Sequence, residues 1–207
     1  MVNIWVHKSC GVLRMGGKCG RCTQERGKLR ICVDYRDLNK ASPNDDFLVP
    51  HIEVLVDGTT YHALFSFMDG YSGYHQIKMA EEDVEKTIFI TMWGNYCYQV
   101  MLFGLKNVMV TYQRAMVALF HDMMHKEVEV YVDDIICKSK TEREHVGNLQ
   151  KLFKRLRDYN LKLNPAKCSS GVKSGQVLDF IVSQKGIEVN LEKGKAITEM
   201  PPPRIEK

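Results

Sequence analysis

The feature that most constrains the fold is a pair of acids set inside an apolar stretch. Val128 to Val132 alternates between apolar and polar residues, Asp133 and Asp134 follow, and Ile135 to Cys137 resumes an apolar run. Alternation with a period of two is typical of a β-strand with one buried face. The sequence therefore predicts a β-hairpin whose turn carries two carboxylates.

A third carboxylate is predicted to lie at the end of another strand. Ala63 to Met68 is an apolar run typical of a buried strand, and it ends at Asp69 and Gly70. Glycine at that point releases the backbone into a turn. An acid at a strand exit is well placed to face a cleft.

Three such acids have a chemical consequence if they meet. Neighbouring carboxylates are costly to hold together unless a positive group lies between them. Mg²⁺ prefers hard oxygen ligands and takes its remaining positions from water and phosphates. Two ions about 4 Å apart can activate an attacking hydroxyl and stabilise a leaving oxygen. The alternative is that Asp133 and Asp134 form only a polar turn, which is the commoner role for aspartate when these two residues are considered alone.

The remaining patterns predict alternating strands and helices. A strand is expected at Ile31 to Tyr35. A hairpin is expected from Thr87 to Thr91 and Tyr96 to Val100, with its turn at Trp93-Gly94-Asn95. A final pair of strands is expected near Val177 to Val182 and Ile187 to Val189. Helices are expected after Asn107 as the cap, and after the capping box Thr141 to Glu144, the second burying Val146, Leu149, Phe153 and Leu156. Met1 to Gly27 shows neither period, so we expect little regular structure there.

Composition adds broad limits. The chain has 207 residues, of which 44% are hydrophobic, enough for one substantial core and against a disordered protein. The net charge of +4, from 29 basic and 25 acidic residues, permits nucleic-acid binding without arguing for it. We expect an intracellular protein with free thiols and no membrane partner, because no leader and no apolar run of roughly 20 residues is present. Cytoplasm or nucleus, and the oligomeric state, stay open.

The cysteines offer a rival site. Cys19 and Cys22 have a spacing found in zinc sites, with Cys10 and Cys32 as further candidates. The other spacings are irregular, so scattered free thiols are the better interpretation.

An ordered set of motifs resembles a known family, the reverse transcriptases of gypsy-type long-terminal-repeat retrotransposons, encoded within a Pol polyprotein. The matching stretches are Leu29 to Lys40, Ser66 to Ile77, Phe103 to Asn107, Thr111 to Gln113, Tyr131 to Asp134, and Leu161 to Pro165 followed by Cys168. Each motif alone is only moderately specific, but together and in this order they are distinctive.

The resemblance implies an α+β right-hand polymerase, with an antiparallel palm sheet backed by helices, with fingers, and with the thumb truncated. The implied division is a divergent, poorly structured segment 1–28, fingers 29–44 and 77–106, palm 45–76 and 107–185, and the start of a thumb or linker at 186–207. The implied activity is that of an RNA-directed DNA polymerase, which adds deoxynucleotides to a primer 3′ end on an RNA or DNA template with two Mg²⁺, or Mn²⁺ in their place.

The resemblance also assigns roles to single residues. Asp69, Asp133 and Asp134 would be catalytic and bind the metals. Tyr74 matches a steric gate against the ribose 2′-hydroxyl, and Arg30 matches an arginine that contacts the triphosphate. The other implied nucleotide-binding residues are Gly70, Phe103 and Gly104, and the implied template or primer residues are Arg36, Gln113 and Tyr131. Lys167 loosely matches a lysine that protonates pyrophosphate, although an ordinary surface position is favoured.

Several positions depart from the family pattern. They are Gln24 and Glu25 where lysines are usual, Leu102 where proline is usual, Val108, Met109 and Val110 where small residues are usual, and Asp179 where glycine is usual. Larger side chains in a close-fitted site typically cost about 1–3 kcal/mol, and a carboxylate repels primer phosphates. We therefore expect weak or absent polymerase activity. The competing functions are a non-catalytic nucleic-acid-binding relic and a structural domain without a nucleic-acid partner.

Overall fold

The computed structural model describes residues 4–6, 17–23, 29–91, 94–178, 180–189 and 199–200. The chain divides into two compact units, each built from two separate segments. Met1–Val49 and Ser72–Ala115 form the first unit, and Pro50–Tyr71 and Met116–Lys207 form the second. The chain therefore passes from one unit to the other three times.

The described strands, in chain order, are β1 Ile4–Val6, β2 Gly17–Thr23, β3 Leu29–Asp34, β4 Leu64–Asp69, β5 Phe89–Thr91, β6 Gly94–Tyr98, β7 Val128–Tyr131, β8 Asp134–Ser139, β9 Ser169–Val172, β10 Ser174–Val177, β11 Phe180–Ser183 and β12 Gly186–Val189. The described α-helices are α1 Arg36–Ala41, α2 Ile52–Thr59, α3 Glu81–Val84, α4 Val108–Phe120 and α5 Glu142–Asp158. Short 3-10 turns occur at Gly73–Gln76, Glu85–Thr87 and Pro165–Lys167.

The first unit contains a five-stranded sheet in the order β1-β6-β5-β2-β3. Its pairings are antiparallel except for β2 with β5, which is parallel. Tyr35, Phe89, Tyr98 and Leu102 form a buried cluster in this unit. The Tyr35 hydroxyl donates a hydrogen bond of 3.0 Å to the Thr87 carbonyl, so the polar end of this buried ring is satisfied.

The second unit contains a four-stranded antiparallel sheet in the order β7-β8-β4-β9, and a three-stranded antiparallel sheet in the order β10-β11-β12. Helix α5 packs against β8 and β4, and α2 packs against β7 and β11. One buried cluster of this unit consists of Leu55, Val56, Phe65, Ile136, Val177 and Val182. Apolar side chains from both sheets and one helix thus pack together in it.

The fold class and several elements predicted from the sequence are confirmed. The structure is α+β with mainly antiparallel sheets, and the hairpin around Asp133 is present as β7 and β8. Helix α4 begins at Val108, directly after Asn107. The Thr141 hydroxyl accepts a hydrogen bond of 3.3 Å from the Glu144 amide at the start of α5, as a capping box requires.

Other predictions were wrong in detail. Two strands, β1 and β2, lie within the stretch that was expected to have little regular structure. A short helix, α1, follows Tyr35 where the sequence analysis predicted no helix. The final pair of strands is a set of three, because Leu178 has a φ of +54° between β10 and β11 and breaks the predicted strand. These segments are short, and tertiary pairing decides their state more than local pattern does.

Helix α5 buries only part of the predicted face. Leu156 is buried and Leu149 half-buried as predicted, whereas Val146 and Phe153 are 58% and 43% exposed. His145 and Leu152 are buried in place of Val146 and Phe153, and two serine hydroxyls on the facing sheet lie within hydrogen-bond distance of the His145 ring. Apolar periodicity does not report such a polar contact.

The hairpin that carries the acids holds a buried ion pair. Glu129 on β7 and Lys138 on β8 are 0% and 2% exposed at their side chains, and Lys138 Nζ lies 2.7 Å from Glu129 Oε1. Lys138 Nζ also donates to the Gly58 carbonyl, and Glu129 Oε2 lies 3.1 Å from Nδ1 of His125. Removing either charge would leave the other buried without its partner.

We predict that Lys138→Met lowers the free energy of unfolding by about 3–5 kcal/mol, because Glu129 keeps its charge in a dry site. The double variant Glu129→Leu with Lys138→Met should recover most of that loss. Urea denaturation of both variants measures the difference between their free energies of unfolding. Lys140→Met, the same change at an exposed lysine, serves as the control. A double variant less stable than Lys138→Met would contradict this account.

Candidate active site

Two of the predicted acids lie directly opposite each other on adjacent strands. The antiparallel register of β4 with β8 pairs Asp69 with Asp134 at the end of the ladder. The Gly70 amide donates a hydrogen bond of 3.3 Å to the Asp133 carbonyl, which draws the third acid to the same end. The structure thus brings the backbones of Asp69, Asp133 and Asp134 to one end of the β4–β8 ladder in the second unit.

The hairpin turn fixes the position of Asp133. Tyr131 pairs with Asp134, so that Val132 and Asp133 alone form the turn between β7 and β8. Val132 has a φ of +51°, in the left-handed region that a β-branched residue rarely adopts. Such strain is of the order of 1–3 kcal/mol and persists only where the surroundings impose it.

The electrostatics of the cluster favour protonation of two acids. Burial raises the pKa of Asp133, and the charges of Asp69 and Asp134 raise it further, while Lys167 opposes the shift. Desolvation also raises the pKa of Asp134, with Asp69 as the second cause, although Asp134 as a whole is exposed. Like charges on directly opposed strand residues repel, so the cluster opposes its own assembly.

Lys167 offsets part of this repulsion. Its Nζ lies 3.1 Å from Asp69 Oδ2, and the two side chains are 67% and 17% exposed. Lys167 ends a short 3-10 turn, whose neighbour Asn164 donates its amide to the Asp69 carbonyl at 2.9 Å. The surface position favoured from the sequence therefore also contacts the site.

One oxygen of the cluster has no partner. Asp133 Oδ1 is buried and makes no hydrogen bond in the part of the chain that the structure describes. A buried carboxylate oxygen without a donor is costly, and a divalent cation would satisfy it. The donor set of three carboxylates suits Mg²⁺, although among the described residues no three His, Cys, Asp or Glu side chains converge closely enough to hold a metal. Asp69 is the member engaged elsewhere, by Lys167.

The predicted nucleotide-pocket residues of the first unit form a cluster of their own. Tyr74 is buried, with its ring 4.6 Å from Phe103 and 4.8 Å from Tyr112 between centroids. Phe103 is 62% exposed and also contacts His75 edge-on. Gly104 has a φ of +95°, which favours glycine, and its carbonyl accepts a hydrogen bond of 2.7 Å from Asn39 Nδ2.

The remaining predicted residues are dispersed. Gln113 on α4 is fully buried. Arg36 starts α1 and is exposed, with its guanidinium 2.7 Å from Asp34. Tyr131 packs on the core of the second unit, and Arg30 lies in β3 opposite Cys22.

Some predictions concern positions outside the described residues. Asp179, Gln24, Glu25 and Cys10 lie there, as does the turn residue Trp93. Cys19 and Cys22 lie in β2 and Cys32 in β3, but their side chains fall outside the described part, so the zinc alternative stays a prediction. Met109 is 44% exposed, so it is accommodated without crowding its own unit.

The first unit also contains a cavity of about 780 Å³. Its lining includes apolar side chains of Ile77, Met79, Met101 and Leu105. None of the residues predicted to contact nucleotide, template or primer lines it. The cavity therefore adds nothing to the assignment of those residues.

Comparison with known proteins decides the family. Residues 18–199 match the family model described as "Reverse transcriptase (RNA-dependent DNA polymerase)". This chain belongs to the reverse transcriptase family. It is 38% identical over 180 residues to the retrovirus-related Pol polyprotein from transposon 297 of Drosophila melanogaster, and 36% identical over 174 residues to that from transposon gypsy of the same organism. The two matches cover 87% and 84% of this chain, but each covers only 17% of the polyprotein.

Solved reverse transcriptases share the fold. The structure of a foamy viral protease-reverse transcriptase in complex with double-stranded DNA has a TM-score of 0.82, covering 97% of this chain and 34% of that one at 22% identity. A second foamy viral structure, in complex with an RNA/DNA hybrid, has a TM-score of 0.77 over 92% of this chain and 25% of that one, also at 22% identity. The reverse transcriptase fold predicted from the motifs is therefore confirmed. Within the described residues, no helix is both long and apolar enough to cross a membrane.

Sequence reasoning missed two groups near the acids. Lys167 was placed at the surface without a contact to Asp69, and the buried residues His145, Ser66 and Ser139 were not singled out. The signal for Lys167 was its loose match to a lysine of the family, to which an ordinary surface position was preferred. Nothing in the sequence marks the two serines, because serine in a strand has no distinctive pattern.

We predict that Asp133→Asn melts at a higher temperature than the wild type in metal-free buffer at pH 7. The raised pKa of Asp133 means that folding disfavours its charged form, so this penalty is absent below the ordinary value of 3.8 and grows as pH rises through the raised pKa. The gain should therefore shrink towards pH 4, and saturating Mg²⁺ should stabilise the wild type more than the variant.

Thermal melts of both proteins across pH, with and without Mg²⁺, check this. The exposed Asp46→Asn serves as control and should not raise the melting temperature. An Asp133→Asn protein that melts below the wild type in metal-free buffer at pH 7 would show that the charge of Asp133 stabilises the fold.

Proposed function

We propose that this chain is an RNA-directed DNA polymerase domain, which adds deoxynucleotides to the 3′ end of a primer by phosphoryl transfer. The observation that carries the proposal is the pairing of Asp69 with Asp134, beside a buried and unpartnered Asp133 oxygen, in a member of the reverse transcriptase family. Acids on a scaffold of paired strands are held more firmly than acids on loops.

The three carboxylates would hold two Mg²⁺, or Mn²⁺ in their place. When bound, such ions lower the pKa of the attacking hydroxyl and neutralise charge on the transferred phosphoryl group. The chain itself supplies the arrangement: the register of β4 with β8 sets Asp69 against Asp134, and the strained turn at Val132 sets Asp133. Lys167 holds Asp69 Oδ2 and, being largely exposed, can turn towards a phosphate.

Selection of the sugar is assigned to Tyr74. Its ring is buried against Phe103 and Tyr112, so its position is fixed by packing on two sides. A rigid aromatic edge can exclude a ribose 2′-hydroxyl where a mobile side chain would yield. Gly104 shapes the adjoining backbone through its left-handed conformation.

The two units suit the hand-like division of the family. The palm is assigned to 45–76 and 107–185, which include the acids and the antiparallel sheet of the second unit and also residues 45–49, 72–76 and 107–115 of the first unit. The fingers are assigned to 29–44 and 77–106, in the first unit. Arg30 and Gly70 are assigned to the nucleotide, and Arg36, Gln113 and Tyr131 to the template and primer. Since Gln113 is buried, it would act by supporting α4 rather than by direct contact.

The partners proposed for this domain are an RNA or DNA template, its primer, and deoxynucleoside triphosphates. Support comes from the foamy viral proteins, whose structures hold double-stranded DNA and an RNA/DNA hybrid. The chain spans about a sixth of the length of the curated relatives it matches. The activities of a whole Pol polyprotein are therefore not assigned to it.

We predict weak, Mg²⁺-dependent extension of a labelled DNA primer on an RNA template by the wild-type chain. Asp133→Asn should lower the rate by about a thousandfold, because metal ions supply several kcal/mol of charge stabilisation and each 1.36 kcal/mol is about tenfold in rate. Gel analysis of extension products measures both. Asp46→Asn, a change of the same kind at an exposed residue, should extend as the wild type does.

The alternative is a non-catalytic relic that binds nucleic acid without turnover. The departures at Val108 and Met109, and at Asp179 outside the described residues, motivate it. No extension by a folded wild-type chain that still binds the primer–template duplex would establish the relic. Neither extension nor salt-dependent binding would indicate a structural domain.

We predict that Tyr74→Val accepts ribonucleotides about tenfold to a hundredfold better, relative to deoxynucleotides, than the wild type. Relief of one steric clash of about 1–3 kcal/mol corresponds to that range. Single-nucleotide incorporation with paired ribo- and deoxynucleotides gives the ratio. Tyr74→Phe keeps the ring and should keep the discrimination, whereas relaxed selection by Tyr74→Phe would show that the hydroxyl, not the ring, selects.

A further inference from the structure

A buried histidine joins the two strands that carry the acids. His145 lies in the first turn of α5 and is 3% exposed. Its Nε2 is 2.8 Å from the Ser66 hydroxyl on β4, and its Nδ1 is 2.9 Å from the Ser139 hydroxyl at the end of β8. One imidazole ring therefore bridges β4 and β8 directly.

Both serines carry a second hydrogen bond. The Gly171 amide on β9 donates to Ser66 Oγ at 3.1 Å, and the Asn148 side-chain amide on α5 donates to Ser139 Oγ at 2.9 Å. The Asn148 amide also lies 3.2 Å from the Lys138 carbonyl. The network thus ties three neighbouring strands of the sheet to one helix.

The proton count favours a neutral ring. A neutral imidazole donates from one nitrogen and accepts at the other, so one serine accepts from His145 and the other donates to it. A charged ring would donate to both serines, so both hydroxyls would accept twice and need a new acceptor for their protons, whereas with the neutral ring only one of them does. Ser66 is fully buried, and burial lowers the pKa of His145, in agreement with the neutral ring.

The network lies where it controls the register of the acids. Leu64 pairs with Ser139 at one end of the β4–β8 ladder, and Asp69 pairs with Asp134 at the other, with each residue between them in step. Ser66 and Ser139 are diagonal neighbours on the face that meets α5. A slip of one residue would turn every side chain of the strand to the opposite face and separate the acids.

We propose that His145 is a positioning residue for the carboxylate site, holding β4 and β8 in register through its two serine hydrogen bonds. Its effect on polymerase activity rests on the proposed function, but its effect on the strands does not. His145 touches none of Asp69, Asp133 or Asp134 in this arrangement and acts on them through the backbone.

The test uses the Gly70 amide, which donates to the Asp133 carbonyl and so reports whether the strand ends are aligned. Hydrogen exchange is measured on the full chain by NMR, and protection at Gly70 is expressed relative to the amides of β11. His145→Phe keeps a buried ring without hydrogen bonds and should lower this ratio by about tenfold, the scale of one buried hydrogen bond. His145→Gln keeps a neutral donor and acceptor and should restore much of it.

Leu152→Ala is the matched control, since Leu152 is fully buried on the same helix and apolar. It should destabilise the protein without a selective loss at Gly70. Equal loss of relative protection in His145→Phe and Leu152→Ala would overturn the proposal, because any weakening of α5 would then suffice. If His145→Phe does not fold, Ser139→Ala removes one of the two serine hydrogen bonds of His145. The relative protection of the Gly70 amide in Ser139→Ala is then compared with that in Leu152→Ala in the same way.

Primer extension provides a second test of the role of His145, and this test depends on the proposed function. His145→Phe should raise the Mg²⁺ concentration for half-maximal extension several-fold, with a smaller change in the rate at saturating Mg²⁺, whereas Leu152→Ala should change neither. An unaltered Mg²⁺ requirement in His145→Phe would overturn the effect on the site. A wild-type chain that extends no primer would contradict only the proposed polymerase function. Hydrogen exchange at Gly70 would still test whether His145 holds the two strands in register.

Discussion

The pairing of β4 with β8 sets two carboxylates opposite each other, an arrangement that electrostatics alone would oppose. Packing of other residues of the same two strands makes it stable. Phe65 and Ile136 are fully buried in a core shared with Val177 and Val182, and apolar burial of this kind contributes roughly 1.5–3 kcal/mol per large side chain. The acids therefore remain together because the apolar burial of the strands that carry them outweighs the repulsion between the carboxylates.

Three buried or half-buried polar groups in the second unit differ in the partners that compensate for their loss of water. Glu129 is matched by the opposite charge of Lys138 within the same hairpin. His145 is kept neutral and bonded on both ring nitrogens. Asp133 Oδ1 and Glu129 Oε2 both lack a hydrogen-bond partner among the described residues, although Glu129 Oε2 lies 3.1 Å from His125 Nδ1. The contrast matters because Lys138 and His125 lie against the Glu129 carboxylate, whereas the buried Asp133 oxygen would be satisfied by a cation from outside the chain.

Sequence reasoning succeeded where local pattern and global fold agree. The alternation of Val128 to Val132 and the apolar run before Asp69 placed both acid-bearing strands, and the ordered motifs gave the family. Sequence reasoning failed where the environment of a residue is determined by a contact with a residue distant in sequence. Lys167 meets Asp69 across about a hundred residues, and the buried His145 of α5 finds its partners in serines on two strands. Such contacts leave no periodic trace in the chain.

The order of segments also bears on how the chain is made. β4 ends at residue 69 and its partner β8 ends at residue 139, so 139 − 69 = 70 residues must be synthesised between them. At roughly 5–20 residues per second, an apolar strand containing Phe65 and Phe67 waits about 4–14 s without the neighbour that covers its edge. An unpaired strand edge is a template for association with other chains. Nascent copies of this protein are thus exposed to misassembly during that interval, and a chaperone that shields extended apolar segments would act there.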